Sequence, residues 1–330
     1  MALLIAEGLA SELYAGSQDH SDYYTYFDFN IDLTEKGVVE YERVCEVVGA
    51  YVKMLEKVGP QKWVFDEVKQ MKDVGFLYKN QIGGWDMADD LSSELLNYDI
   101  PRILESDSCM DSFDEKTLKE YLSHMKPENT LVTLLSKKNQ GLTDQIEPIY
   151  QIHYSVTDLT DSQKASFSNP TLAWATSGLT IDDIHLPQKN QFIPKNFEIL
   201  HQGPKLAYQN PKKIHEDEKM TVWHLLDGQF LLPKVSMRIL LKPITWNIDS
   251  DPRTALLAEL WVEELLDFLR DFAYMAEEAA LTIKIKLVNH SHLSITFEGY
   301  NDSLDAVHAT FFSELRKFQD VRNETRFNSL

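Results

Sequence analysis

Several ingredients are scarce in this chain, and each scarcity removes a class of function. Basic residues are outnumbered, with 32 Lys and Arg against 52 Asp and Glu and a formal net charge of −20. That balance argues against a nucleic-acid partner, which needs clustered cations for its phosphates. It argues equally against docking on anionic lipid. Only two cysteines, Cys45 and Cys109, occur in 330 residues. Two thiols cannot make a four-cysteine zinc site, and no C-x-x-C is present. Cys45 falls in an apolar helical pattern and reads as a small core residue. Cys109 lies in a polar stretch with no evident partner. No apolar run approaches the ~20 residues that span a bilayer. The apolar start, residues 1–10, carries Glu7 where a secretory leader has basic residues, so it reads as a surface helix of a cytoplasmic chain. No G-x-S-x-G, P-loop or G-x-G-x-x-G string occurs, and Gly83, Gly84 and Trp85 look like a turn outside any phosphate-binding context. Acidic pairs such as Asp89 and Asp90 are numerous and read as solvated helix faces, without an acid–base role.

What is present is an ordinary globular balance, 43% hydrophobic and 25% charged, at a length that suits two domains. Residues 22–33 alternate, with Phe27, Phe29, Ile31 and Leu33 on one face, which predicts a half-buried strand. Val44, Val47, Val48, Tyr51, Val52 and Leu55 then repeat at helical spacing until Gly59 stops the helix. Pro60 opens another through Trp63, Val64, Val68 and Met71. A short helix is expected over residues 113–125 and an apolar strand over 130–136. Residues 155–205 collect Ser, Thr, Asn, Gln and four prolines, and read as a connecting arm with a short helix near 161–166. Beyond it, residues 222–226 and 235–241 are expected to be strands around Asp227 and Gly228. Asp251 and Pro252 start a long helix marked by Leu257, Trp261, Leu265, Phe268, Phe272 and Ala276. Two alternating strands follow, through Ile283, Ile285 and Leu287 and through Leu293, Ile295 and Phe297. Asn301, Asp302 and Ser303 then cap a last helix. Grouped strands with long intervening helices predict an α+β fold, antiparallel-rich sheets with helices packed on one face.

Local strings go further. Asn30-Ile31-Asp32-Leu33-Thr34-Glu35-Lys36-Gly37 and Val58-Gly59-Pro60-Gln61-Lys62-Trp63 are the first two. Lys126-Pro127-Glu128-Asn129, Thr143-Asp144 and Glu147-Pro148-Ile149-Tyr150 follow in order. The strongest is Leu186-Pro187-Gln188-Lys189-Asn190-Gln191-Phe192-Ile193-Pro194-Lys195-Asn196-Phe197. Phe230-Leu231-Leu232-Pro233-Lys234 and Gly299-Tyr300-Asn301-Asp302 close the series. Together they resemble the insulin-degrading, pitrilysin-like metallopeptidases (insulinase family, M16). The resemblance implies tandem insulinase-type domains: residues 1–160 as part of the second, 161–200 as an extended linker, and 201–330 as part of the third or middle domain. Both ends of the chain are then expected to fall inside domains.

Members of that family cleave peptides with zinc held by an H-x-x-E-H motif in their first domain. Two histidines four apart share a helix face and hold the metal, and the Glu between them serves as general base. None of the ten histidines here has a partner four residues away. His215-Glu216-Asp217-Glu218-Lys219 starts like H-E-x-x-H but ends in an ammonium, which is no ligand. His290 and His292 could share one strand face, though a polar strand end near a turn is the plainer reading. No catalytic residue and no cofactor is therefore assigned to this chain, and by itself it is expected not to cut peptides. The resemblance also implies a substrate anchor, an exposed strand segment that holds a peptide N-terminus by main-chain hydrogen bonds. Leu13, Tyr14, Ala15 and Gly16 look like that segment, with Ala15 where the family has a glycine; turn chemistry alone reads the same stretch as a plain loop. The expected partners are peptides and a chain carrying the zinc domain. The expected roles are a non-catalytic fragment or paralogue that forms a scaffold or peptide-binding half of the chamber, or a component of a zinc endopeptidase whose zinc domain lies upstream or on another chain.

Overall fold

Hydrophobic periodicity becomes structure along most of the chain. In the computed structural model, which describes residues 1–20, 23–168, 170, 184–200, 210–226, 228, 230–242, 251–288 and 292–318, a short helix α1 (Ala2–Ala6) leads into strands β1 (Ala10–His20) and β2 (Thr25–Leu33). Helices α2 (Glu35–Val39), α3 (Tyr41–Val58), α4 (Lys62–Leu77), α5 (Gly84–Glu94) and α6 (Glu115–Ser123) follow. Two short strands, β3 (Gln145–Ile146) and β4 (His153–Tyr154), precede α7 (Asp161–Ser168). Then come β5 (Lys212–Glu216), β6 (Thr221–His224), β7 (Lys234–Leu241), α8 (Pro252–Phe268), α9 (Arg270–Glu278), β8 (Thr282–Val288), β9 (His292–Tyr300) and α10 (Asn301–Phe318). Every paired strand is antiparallel. This is the α+β class that the grouping of strands predicts.

The chain folds as two units, each discontinuous in sequence. Residues 1–62 and 112–188 make the first; residues 63–111 and 189–330 make the second. The core of the first gathers Leu4, Leu9, Ala10, Val44, Val47 and Ala50 under the β1–β2 ribbon. Helix α3 ends where Gly59 takes φ +74, as its sequence foretells. Helix α7 packs on α3 so closely that a Cβ on Gly49 would lie 2.4 Å from the Phe167 carbonyl oxygen. Glycine is there because backbone meets backbone.

The second unit is built on a three-stranded sheet in the order β7-β9-β8. Val262, Leu265, Leu269 and Phe311 pack with Ile285, Ile295 and Phe297 in its core, so helices α8 and α10 contribute to a single apolar layer with the sheet. The strand-free segment 184–200 is not loose. Phe192 and Ile193 enter this core, Asn190 Nδ2 donates to the Met275 carbonyl at 2.7 Å, and Gln70 Nε2 donates to the Pro194 carbonyl at 2.7 Å.

Several readings are corrected. Residues 130–136 form no strand; with Leu131 and Leu135 exposed, the apolar run has no neighbouring strand among the described residues to satisfy its backbone. Gly84 begins helix α5 and is not part of a turn. Strand β6 pairs with β5, while β7 pairs with β9. The turn that decides this is at Asp217, whose Oδ1 accepts the Lys219 and Met220 N–H groups; Asp227 lies outside the described residues. The long helix read from Leu257 to Ala276 is two helices, broken at Leu269. Asp302 does not cap α10. Its Oδ2 accepts from the N–H groups of Lys195 and Asn196 at 2.8 and 3.1 Å, tying segment 184–200 to the helix start.

Candidate functional site

The β1–β2 ribbon is fixed at its base by a small set of close contacts. Gly8 takes φ +66 and turns the chain out of α1. Leu9 N–H then donates to the Leu4 carbonyl, and Thr34 N–H donates to the Leu9 carbonyl. The Thr34 hydroxyl donates to the Gly8 carbonyl at 2.7 Å and caps α2 by accepting from Gly37 N–H at 3.0 Å. Lys36 Nζ donates to the Glu7 carbonyl at 2.7 Å. Gly37 comes so close that a Cβ would sit 1.9 Å from the Leu9 carbonyl oxygen.

Leu13, Tyr14, Ala15 and Gly16 lie in the middle of β1, opposite Ile31, Asn30, Phe29 and Asp28. The loop reading of this stretch is therefore wrong. It arose because Ala, Gly and Ser have poor strand propensity; the strongly alternating β2 supplies the template. Among the described residues β1 pairs with β2 alone. Every second residue of β1 thus turns its N–H and C=O away from β2, along an edge with no strand partner among the described residues. Leu13 points toward the core with Ile31 and Leu33. On the opposite face Tyr14 lies beside Asn30 and Gly16 beside Asp28. The Tyr14 hydroxyl lies 3.0 Å from the place a Gly16 Cβ would take, so the ring folds over the glycine.

Other candidates fare differently. His215 stands in β5 and Lys219 in the following turn, so the H-E-x-x-K string is not on a helix. His215 Nε2 instead lies 3.1 Å from Asp217 Oδ2. His290 and Ser291 lie outside the described residues; His292 begins β9. Among the described residues no group of three or more His, Cys, Asp or Glu could hold a metal ion. The described residues do not compose the zinc site that the resemblance implies for its family. Cys45 lines a crevice of about 50 Å³ between α3 and α7, far below the ~300–1,000 Å³ of ligand pockets. Burial, and then Glu42, push its thiol up from its ordinary value, which suits an inert thiol. Cys109 does have a partner that the sequence hid: Arg102 Nη2 donates to its Sγ at 3.0 Å. The same guanidinium grips both Asp111 oxygens at 2.7 Å and holds that carboxyl below the usual range.

Residues 76–330 match the model of the middle or third domain of peptidase M16. The chain belongs to the M16 peptidase family. This M16 chain is 29% identical over 300 residues to the insulin-degrading enzyme of Homo sapiens, covering 91% of the chain and 28% of that protein. It is 27% identical over 300 residues to the nardilysin of Homo sapiens, covering 90% of the chain and 25% of that protein. The crystal structure of pitrilysin superposes with a TM-score of 0.74 at 20% identity, covering 99% of the chain and 33% of that structure. The fold is thus the pitrilysin fold. The chain spans a quarter to a third of the length of these relatives. No helix of the described residues is long and apolar enough to cross a membrane.

Proposed function

We propose that this chain is a non-catalytic, substrate-holding part of an M16 peptidase, and that β1 receives an extended peptide by strand addition at residues 13–16. The observation that carries the reading is the open edge of β1, held in register by β2 and by the contacts of Gly8, Thr34 and Gly37. Main-chain groups supply the affinity in such docking, and pockets for alternate side chains supply selectivity. Ala15 does not obstruct it. Its methyl leaves the ribbon perpendicular to the sheet, whereas the incoming backbone approaches in the plane. A division into a second insulinase-type domain over residues 1–160, a linker over 161–200 and a middle domain over 201–330 is part of this proposal, although the middle-domain match starts at residue 76 and residues 63–111 pack with 189–330. Hydrolysis requires a zinc domain supplied by sequence outside this chain or by a partner chain, in keeping with the 28% of the human insulin-degrading enzyme that the chain spans. The working compartment is the cytoplasm.

The test is fluorescence anisotropy of a labelled extended peptide against the whole chain. Binding should weaken roughly tenfold to a hundredfold when alternate peptide nitrogens are methylated, because two or three main-chain hydrogen bonds of about 0.5–1.5 kcal/mol each are lost. Equal binding of the methylated and unmethylated peptides sinks strand addition. Chelator-sensitive cleavage by the purified chain sinks the non-catalytic assignment.

A further inference from the structure

The sheet of the second unit has another face. The alternation that sends Ile295 and Phe297 into the core sends Ser294 and Thr296 the opposite way. Both stand on the central strand β9 and both are buried, at 1% and 4% exposure. The register places Arg238 and Lys284 on either side of Thr296, and Lys286 beside Ser294. All three cations are exposed. One carboxylate, Glu298, shares the face; it accepts from Lys284 Nζ at 2.9 Å, which lowers its pKa from the ordinary value. Arg238 reaches Glu298 only through longer-range attraction, and Lys286 has no ion pair among the described residues. A local cationic surplus has therefore been kept on one sheet face of a chain with net charge −20.

A second observation falls in the same place. Ser294 Oγ is buried and has no hydrogen-bond partner. An unmatched buried hydroxyl is destabilising, and a ligand oxygen would satisfy it. Its flanking cation, Lys286, is a flexible side chain that can swing aside to admit one.

We propose that this face binds an extended acidic peptide segment through its carboxylates. Lys284 and Lys286 are two residues apart on β8, hence roughly 6.4–6.8 Å apart along the strand. Acidic side chains at alternate positions of an extended peptide have the same spacing. Arg238 lies two strand spacings across, about 9.5 Å from Lys284, where its guanidinium can take a further carboxylate by two hydrogen bonds. A carboxylate held between Arg238 and Lys286 is in reach of the Ser294 hydroxyl. The cations and both hydroxyls belong to the second unit, so the proposal stands whether or not β1 accepts peptide.

The whole chain is titrated with a labelled peptide carrying Glu at alternate positions, and with its Gln counterpart. The Glu peptide should bind roughly tenfold more tightly at low salt. The double variant Arg238→Glu with Lys286→Glu should erase that preference while keeping the wild-type unfolding midpoint, since both positions are exposed. The milder pair Arg238→Gln with Lys286→Gln serves if reversal disturbs folding. Ser294→Ala should weaken the Glu peptide alone. Equal binding of the two peptides, or an unchanged preference in the charge variants, overturns the proposal. So does displaceable binding of inorganic triphosphate with no binding of the Glu peptide, which would make the face a phosphate site.

Discussion

Two glycines show how differently one residue type is used. Gly37 has the Leu9 carbonyl oxygen 1.9 Å from the position of an added Cβ, and that oxygen is backbone that also accepts from Thr34 N–H. Gly75 stands exposed near the end of α4 with nothing within 4 Å. Gly37→Ala should therefore destabilise by about 1–3 kcal/mol or more through overpacking. Gly75→Ala should stabilise by up to about 1 kcal/mol by removing helix-disfavouring freedom. Urea unfolding of the two variants checks both signs. Asp302 offers a pH handle. The Lys195 and Asn196 N–H groups hold its carboxyl below the ordinary Asp value. A depressed folded pKa means that its stabilisation is complete above the unfolded value of about 3.9 and disappears as pH falls through the lower folded value. Asp302→Asn should lower the melting temperature at pH 7 and flatten its decline between pH 5 and 2. A variant with wild-type acid sensitivity would show that the contact carries no stability.

At the scale of elements, apolar content and structural use come apart. Leu131 sits in an apolar run that forms no strand and is 87% exposed, whereas Leu265 on α8 is fully buried. Leu131→Ser should shift stability by less than about 0.5 kcal/mol, and Leu265→Ala should cost about 2–5 kcal/mol; denaturant midpoints of the two variants decide it. The contrast explains what the sequence could and could not disclose. Stops and starts written in local chemistry, such as Gly59, Asp251 and Pro252, are legible because the residue itself enforces the geometry. Strand β1 is not, because Ala, Gly and Ser favour no strand and become one only by pairing with β2. Residues 13–16 stand out in the sequence only by their resemblance to a family segment, and their strand geometry comes from the fold. Hairpin partnership was hidden too: the sequence pairs residues 222–226 with 235–241, whereas β6 pairs with β5 across the Asp217 turn.

For the whole molecule, the interleaving of the two units matters most. A break after residue 160 respects the proposed domain limit but removes α7, whose Phe167 carbonyl closes on Gly49 of α3. A chain of residues 1–160 should therefore melt at a lower temperature than residues 1–188 joined to the rest, and with a broader transition by circular dichroism. Identical melting curves would mean that α7 contributes nothing to the first unit.

The same contact sets a schedule at the ribosome. Gly49 emerges from the exit tunnel long before Phe167, with the whole 63–111 excursion translated in between. At ~5–20 residues per second, on the order of ten seconds pass in which α3 exposes the groove that α7 will fill. Nascent chains of this protein should therefore be clients of holding chaperones over that interval, and a synonymous codon change that slows translation between residues 112 and 167 should raise the aggregated fraction.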